Sequence, residues 1–221
     1  MRLVLFDCDG TLVDSVGLIH EVMARTFADF GYARPDVAET KAIIGLTLDI
    51  AIARMQGKPH VDDEALAMTA HYKAIYGGVR AEAGFQEPLF PGIADLMARL
   101  EREDDLILGA VTGKSRRGLD LIRASHGFEK TFFVSRTADD CPSKPHPGMV
   151  TECCSEAGID AAQTIVVGDA IYDMQMAKAA GAKAVGVAWG YASVPELVEA
   201  GADHILRTPA DLLDWLEISD A

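Results

Sequence analysis

A chain of 221 residues with 49% apolar and 24% charged residues can bury one substantial core, or a core with a smaller inserted domain. Its formal net charge of −14 argues against nucleic acid and anionic membranes as partners, because both recruit basic surfaces. No apolar run approaches the roughly 18 residues that a membrane-spanning helix needs. If such an acidic protein binds an anionic substrate, it must supply positive charge at the site itself.

The four cysteines, which form no C-x-x-C pair, favour a protein with reduced thiols. Adjacent Cys153 and Cys154 suit neither a disulfide framework nor a zinc site. The N-terminus enters a strand without a signal-peptide pattern, so a cytoplasmic location is expected. Cys8 stands between two aspartates, and strand alternation predicts that its side chain points away from theirs.

The first predicted strand, Arg2–Phe6, is a continuous apolar run of the kind that is buried on both faces of a sheet. Asp7 and Asp9 follow it, and Gly10 comes directly after them. Ligands of open α/β sheets bind beyond the carboxyl ends of parallel strands, so both aspartates lie where chemistry is expected. Two carboxylates this close repel each other, and a cation or a proton is needed to hold them.

A helical pattern begins after Asp14 and Ser15, which are both favourable N-cap residues. Its first apolar stripe has spacings of three and four residues: Ile19, Val22, Met23, Thr26, Phe27 and Phe30. Three further helices are predicted: Val37–Ile44, Thr47–Met55 and Asp63–Tyr76. Because this region contains no convincing strand, it reads as an all-helical insert whose natural hinges are the short connections at residues 14–16 and 85–91.

The remainder of the chain alternates strands with helices. The predicted strands are Leu106–Val111, Thr131–Val134, Thr164–Gly168, Lys183–Val187 and His204–Leu206. The predicted helices are Ile93–Glu103, Ser115–Ser125, Gly148–Ala157, Tyr172–Ala180 and Ala210–Leu216. This alternation implies a Rossmann-like parallel sheet covered on both faces. We therefore expect an α/β core domain of residues 1–15 and 87–221, and a helical cap domain of residues 16–86 above Asp7 and Asp9.

Three later motifs also follow predicted strands. Thr112-Gly113 precedes a helix, where a hydroxyl and free backbone N–H groups form a natural phosphate cradle. Lys144 lies on a proline-rich loop and answers the need for local positive charge, and Asp169 and Asp173 begin another helix. Singly, these are explained as a turn, a solvated lysine and a helix-dipole partner. Four such motifs together favour an active site.

The opening motif also suggests a calcium-binding loop of the EF-hand kind. That loop needs an acidic residue or asparagine at position 11 and a glycine at position 12. The chain has Thr11 and Leu12 there, so this alternative fails.

Taken together, the four motifs resemble those of the haloacid dehalogenase superfamily, in its phosphoglycolate-phosphatase-like branch with a helical cap. The matching residues are Asp7-x-Asp9-Gly10-Thr11, Thr112-Gly113, Lys144-Pro145 and Gly168-Asp169-x-x-x-Asp173. The resemblance covers essentially the whole chain. It implies a phosphatase that uses Mg²⁺ to hydrolyse phosphate monoesters of small metabolites through an aspartyl-phosphate intermediate.

Carried over to this sequence, the resemblance makes Asp7 the nucleophile and Asp9 the general acid and then the general base. It also implies a Mg²⁺ site formed by Asp7, the backbone carbonyl of Asp9 and the side chain of Asp169, with Asp173 in support. Gly10 would let the chain turn from the sheet towards the cap.

The same resemblance implies that Thr112, the Gly113 amide and Lys144 bind the phosphoryl group that is transferred. This assignment agrees with the charges involved. A carboxylate that attacks a phosphate is repelled by it, and a metal ion and a lysine offset that repulsion.

Two alternatives stay open. A sugar-phosphate mutase of the same superfamily would have a cap histidine at position 19, where this chain has Ile19, and the neighbouring His20 is predicted to face away. The other is a non-enzymatic signalling module that accepts a phosphoryl group on an aspartate. Asp9 and the large cap argue against it, since such a module needs neither an acid nor a lid.

The resemblance favours phosphoglycolate as substrate and leaves sugar phosphates, nucleotides and pyrophosphate open, as it does the oligomeric state. Candidates for contact with the leaving group lie in the predicted cap: Lys41, Gly45, Leu46, Thr47 and Arg80. Of these, Lys41 or Arg80 would meet a substrate carboxylate or second phosphate.

Overall fold

The computed structural model describes residues 1–82 and 84–217; residues 83 and 218–221 of the two predicted domains lie outside the described residues. The described strands are β1 (Arg2–Phe6), β2 (Leu106–Val111), β3 (Val134–Arg136), β4 (Thr164–Gly168), β5 (Lys183–Val187) and β6 (His204–Leu206). They form a parallel sheet in the order β3-β2-β1-β4-β5-β6. The predicted Rossmann-like α/β fold is confirmed.

Helices cover both faces of this sheet. They are α5 (Ile93–Leu100), α6 (Arg116–His126), α7 (Gly148–Ala157), α8 (Ile171–Ala180), α9 (Val194–Glu199) and α10 (Asp211–Trp215). Alternate residues of β1 point to opposite faces, so Val4 and Phe6 join the apolar cluster of α5, α6 and α10. Leu3 and Leu5 join the cluster of α7, α8 and α9 on the other face. Because both faces are apolar, β1 is a central strand.

Between β1 and α5, the described part of the chain forms four helices: α1 (Val16–Asp29), α2 (Val37–Ile43), α3 (Leu48–Met55) and α4 (Asp63–Arg80). We call them, with their connections, the helical insert. They share a third apolar cluster, which includes Val22, Phe27, Met68 and Tyr72. The domain boundaries at residues 15/16 and 86/87 stay predictions. None of the helices in the described residues is long and apolar enough to cross a membrane.

The predicted strand Thr131–Val134 was placed too early, since β3 begins at Val134. Phe132 packs into the core beside Phe128 instead of extending the ladder, and Phe133 is exposed. Arg136 belongs to the strand despite its charge, because its guanidinium pairs with glutamates of α7.

Two helices also differ from prediction. Helix α4 continues through Gly77 and Gly78 to Arg80, because buried Val79 and the ion pair of Arg80 outweigh the helix cost of two glycines, about 1 kcal/mol each. Helix α9 was not predicted. Its signal is the capping box of Ser193 and Glu196, which exchange side-chain and backbone hydrogen bonds at its start.

Candidate active site

Asp7 and Asp9 leave the carboxyl end of β1 and are both buried, with 1% and 7% of their surface exposed. Cys8 between them is fully buried in the apolar cluster that holds Val4 and Phe6. The predicted orientation of Cys8, away from the two carboxylates, is therefore confirmed. The two aspartates enter different electrostatic environments.

Asp7 faces Lys144 and Asp173. The Lys144 ammonium lies 2.9 Å from Asp7 Oδ1 and 2.6 Å from Asp173 Oδ1, with all three side chains almost fully buried. Burial raises the pKa of Asp7 to about 6 against the opposing charge of Lys144. Burial by itself would lower the pKa of Lys144, but the charges of Asp173 and Asp7 outweigh it and raise that pKa above its usual value.

Asp169 completes an acidic cluster with Asp7 and Asp173. One carboxylate oxygen from each lies within 4.8 Å of the others. The oxygens of Asp169 accept hydrogen bonds of 2.9 Å from Thr11 Oγ1 and from the backbone N–H of Tyr191. Burial, and then the charges of Asp7 and Asp173, raise the pKa of Asp169 well above its usual value.

These three carboxylates fit a divalent cation. Mg²⁺ and Ca²⁺ prefer oxygen ligands, and Asp7 Oδ2 is buried without a hydrogen-bond partner among the described residues. A cation there would relieve the repulsion that raises the pKa of Asp7 and Asp169. Asp173, expected only in support, belongs to this cluster, whereas the side chain of Asp9 does not.

Gly10 makes the close approach of the first loop to Asp169 possible. Its φ of +81° lies in the left-handed region, and a Cβ added to it would lie 2.1 Å from Asp169 Oδ2. Its N–H donates to the Val13 carbonyl at 2.9 Å, which closes the turn towards the helical insert. This geometry agrees with the role predicted for Gly10.

Asp9 pairs with a residue that sequence reasoning missed, Lys114. The Lys114 ammonium lies 2.8 Å from Asp9 Oδ1, and the Ser15 hydroxyl donates to the same oxygen. Ser15 precedes α1 as predicted, but its side chain makes no cap hydrogen bond to that helix. Burial raises the pKa of Asp9, while the charge of Lys114 opposes this rise.

Lys114 also lies 2.8 Å from Glu87 Oε1, and Glu87 in turn binds the helical insert. Tyr76 Oη donates to Glu87 Oε1 at 3.1 Å, and Arg80 Nε donates to Glu87 Oε2 at 3.0 Å. Burial alone would raise the pKa of Glu87, but Lys114 and Arg80 lower it below its usual range. This series of contacts thus links Asp9 to α4 through Lys114 and Glu87.

Thr112 and Gly113 lie at the carboxyl end of β2, as predicted. Thr112 is fully buried, and its Oγ1 accepts the N–H of Lys114 at 3.2 Å. A Cβ on Gly113 would lie 2.5 Å from the Leu46 carbonyl and 2.9 Å from the Gly45 carbonyl. A loop of the helical insert therefore rests directly on Gly113.

A cavity of about 830 Å³ lies between the helical insert and the carboxyl edge of the sheet. Asp7, Asp9, Gly113 and Lys114 are part of its lining. Its volume is in the range of small-molecule sites. Asp7 is thus the member of the acidic cluster that faces a space large enough for a metabolite.

Residues 4–187 match the family described as haloacid dehalogenase-like hydrolase. The chain belongs to this family. The predicted superfamily is thereby confirmed, and the following relatives, together with this match, confirm the predicted enzyme class, a phosphoric monoester hydrolase.

Relatives of this chain include enzymes named as phosphatases. A phosphoglycolate phosphatase of Synechococcus elongatus is 30% identical over 216 residues, covering 96% of each chain. One of Escherichia coli is 32% identical over 240 residues, covering 98% of this chain and 92% of its own. The crystal structure of a hydrolase from Pseudomonas syringae has the same fold, with a TM-score of 0.85, full coverage of both chains and 24% identity.

The residues expected to contact the leaving group in this hydrolase divide into two groups. Gly45, Leu46, Thr47 and Arg80 line the cavity. The N–H of Thr47 also donates to Ser143 Oγ at 2.9 Å, beside Lys144. Lys41 is not among the lining residues and lies instead 5.7 Å above the ring of Tyr191.

The geometry gives no support to the mutase alternative. Ile19 lines the cavity at the position where that branch of the family would have a histidine. His20 is not among the lining residues, and its Nδ1 lies 2.9 Å from Thr40 Oγ1.

Tyr191 is another residue that sequence reasoning missed. Its N–H donates to Asp169, while its phenol oxygen accepts the N–H groups of Ser15 and Val16 at 3.0 Å each and donates to Asp14 Oδ1 at 3.2 Å. The only signal was its position in the loop after a predicted strand. For Lys114 a signal was present, since it directly follows Thr112-Gly113.

Proposed function

We propose that the protein is a Mg²⁺-dependent phosphatase that hydrolyses phosphate monoesters of small metabolites, with 2-phosphoglycolate the first substrate to test. The observation that carries this proposal is the buried group of Asp7, Lys144, Asp169 and Asp173, of which Asp7 lines the cavity. The phosphoglycolate phosphatases among the relatives support the choice of substrate.

The transferred phosphoryl group would lie between Asp7, Lys144 and the Thr112-Gly113 turn. Lys144 is held beside Asp7, so its charge offsets the repulsion between carboxylate and phosphate. The Gly113 amide and the Thr112 hydroxyl would donate to phosphoryl oxygens. Catalysis would then come from positioning and electrostatic stabilisation.

In the first step, a carboxylate oxygen of Asp7 forms a bond to phosphorus as the bond to the leaving oxygen breaks, and Asp9 gives that oxygen its proton. In the second step, water attacks the phosphorus, Asp9 takes a proton from it, and the bond between Asp7 and phosphorus breaks. One residue thus serves as acid and then as base. Asp7 and Asp9 end this cycle in their starting protonation states.

Asp7, Asp169 and Asp173, with the backbone carbonyl of Asp9, are the groups we propose as Mg²⁺ ligands. Bound there, Mg²⁺ would neutralise charge on the phosphoryl oxygens. Lys144 ties two of these carboxylates together and so keeps their oxygens on one side of the cluster.

The test is hydrolysis of 2-phosphoglycolate and p-nitrophenyl phosphate by wild type and Asp7→Asn, with Mg²⁺ and with EDTA. Because Asp7 is the proposed nucleophile, we expect kcat/KM to fall at least about 1,000-fold in Asp7→Asn. EDTA should remove activity from the wild type. Equal activity in all four conditions would contradict the proposal, and activity on p-nitrophenyl phosphate alone would contradict the substrate.

A further inference from the structure

We propose that Lys114 is a positioning residue, which anchors one oxygen of Asp9 and so presents the other oxygen to the leaving group of the substrate. This inference rests on the proposed function, in which Asp9 exchanges a proton with that leaving group. It gives a role to Lys114, a buried cation that is not one of the proposed phosphoryl-binding residues.

The two oxygens of Asp9 have different surroundings. The Lys114 ammonium lies 2.8 Å from Oδ1, and the Ser15 hydroxyl donates a hydrogen bond to the same oxygen. Oδ2 accepts no hydrogen bond within residues 1–82 and 84–217, and Asp9 lines the cavity. The carboxylate is therefore held by one oxygen and leaves the other for proton transfer, which requires a heavy-atom distance of about 2.6–3.2 Å.

Lys114 is itself fixed at both ends. Its N–H donates to Thr112 Oγ1 at 3.2 Å, and its carbonyl accepts the N–H of Ala138 at 2.9 Å. Its ammonium lies 2.8 Å from Glu87, and only 8% of the side chain is exposed. A lysine so held fixes the direction of Asp9, whereas a freely moving one would not.

Glu87 connects this anchor to the helical insert. It binds Tyr76 and Arg80 of α4 as well as Lys114. The ammonium of Lys114 is thus satisfied by two carboxylates, which distinguishes it from a cation that waits for a substrate anion. Lys178 also pairs with a carboxylate, at 2.7 Å from Asp203, but is not among the residues that line the cavity, so it serves as a matched control.

The experiment compares two leaving groups by kcat/KM, which reports the steps up to departure of the leaving group. An alkoxide leaving from 2-phosphoglycolate needs a proton, whereas p-nitrophenolate leaves with little assistance. Wild type, Lys114→Met, Lys114→Arg and the control Lys178→Met are assayed on both. The affinity of each for inorganic phosphate is measured by competitive inhibition, and thermal unfolding confirms that each is folded.

In Lys114→Met we expect kcat/KM for 2-phosphoglycolate to fall about 100-fold and that for p-nitrophenyl phosphate less than about fivefold. Affinity for phosphate should stay within about twofold. Lys114→Arg should recover part of the loss, because a guanidinium can also bridge two carboxylates. Lys178→Met should leave the ratio between the two substrates unchanged.

Equal losses on both substrates, or a weaker affinity for phosphate that accounts for the loss, would overturn the inference. If Lys114→Met does not fold, the double variant Lys114→Met/Glu87→Gln removes both charges, and a preserved substrate ratio in it would also overturn the inference. An inactive wild type would instead contradict the proposed function.

Discussion

The two sides of the active site are built from different parts of the chain. The acidic side, with Asp7, Asp169, Asp173 and Lys144, comes entirely from strand ends, loops and the first turn of α8 in the sheet domain. The leaving-group side begins at Asp9 and extends through Lys114 and Glu87 into α4 of the helical insert.

The two sides therefore depend differently on the helical insert. The side chains of the acidic side lie close to one another without any residue of α1–α4 among them. The leaving-group side reaches its full set of contacts only when Tyr76 and Arg80 meet Glu87. We therefore expect substitutions on the first side to affect all substrates, and substitutions on the second to depend on the leaving group and on closure of the insert.

The largest effect is expected for Lys144→Met, which leaves Asp7 and Asp173 without their buried cation. We expect kcat/KM to fall about 1,000-fold on both substrates and the free energy of unfolding to fall by about 3–5 kcal/mol. Urea unfolding measures the second value. The exposed pair of Lys178 and Asp203 gives the control, since Lys178→Met should cost less than about 1 kcal/mol. Activity within tenfold of wild type would contradict a role for the acidic side in all substrates.

The next effect concerns pH and metal. Burial raises the pKa of Asp7 to about 6 in the folded protein, against about 4 in an unfolded chain. The stabilisation from its proton is therefore complete below about pH 4 and is lost as pH rises through 6, a change of about 3 kcal/mol.

In metal-free protein, stability should therefore fall between pH 5 and pH 7.5 more steeply for wild type than for Asp7→Asn. Mg²⁺ should restore the wild type at pH 7.5, because a cation replaces the proton. Thermal unfolding of both proteins over this range, with and without Mg²⁺, measures the difference. The same pH dependence of stability in both proteins would show that the pKa of Asp7 is not raised in the folded protein.

A smaller effect is expected where the insert touches the sheet. In Gly113→Ala, a Cβ would lie 2.5 Å from the Leu46 carbonyl, so the loop of the insert must move away. We expect kcat/KM to fall about 10-fold, since misplacement of positioning groups is costly. Gly17→Ala in α1, where a Cβ meets nothing within 4 Å, is the control. Unchanged kinetics in Gly113→Ala would mean that the loop need not rest on the turn.

The smallest effect is expected for Tyr76→Phe. It removes the 3.1 Å hydrogen bond to Glu87, worth about 1 kcal/mol. We expect kcat/KM for 2-phosphoglycolate to fall about threefold, with p-nitrophenyl phosphate unaffected. Tyr32→Phe removes a similar bond to Glu64, elsewhere in the insert, and should leave both substrates unaffected. A larger loss on p-nitrophenyl phosphate would contradict the division into two sides.

The acidic side could be predicted from sequence because its position depends on where the strands end, which local sequence patterns indicate. Short apolar runs mark parallel strands, and the carboxyl ends of parallel strands share one edge, so Asp7, Lys144 and Asp169 had to lie near one another. The same reasoning placed Thr112 and Gly113. It did not show that Asp173 would join the cluster, because the direction of a side chain at a helix start depends on packing.

The leaving-group side could not be predicted because its contacts cross between separately folded elements. Lys114 meets Glu87 across 27 positions of the chain, and nothing in the spacing indicates that pairing. Arg80 lay beyond the predicted end of its helix, and the hydroxyl of Ser15 had a plausible local partner in the helix it precedes. The expected cytoplasmic location, and the expected absence of nucleic acid and membrane partners, stay predictions.

Tyr191 has a consequence for motion in this enzyme. Its backbone is bonded to Asp169, and its phenol ring, a rigid spacer of constant length, is bonded to the connection at Ser15 and Val16 about which the insert would turn. Tyr191 therefore connects this hinge to Asp169, a carboxylate of the acidic cluster. If a cation binds Asp169 as proposed, we expect it to restrain this connection too, so that metal binding and movement of the insert are coupled through Tyr191.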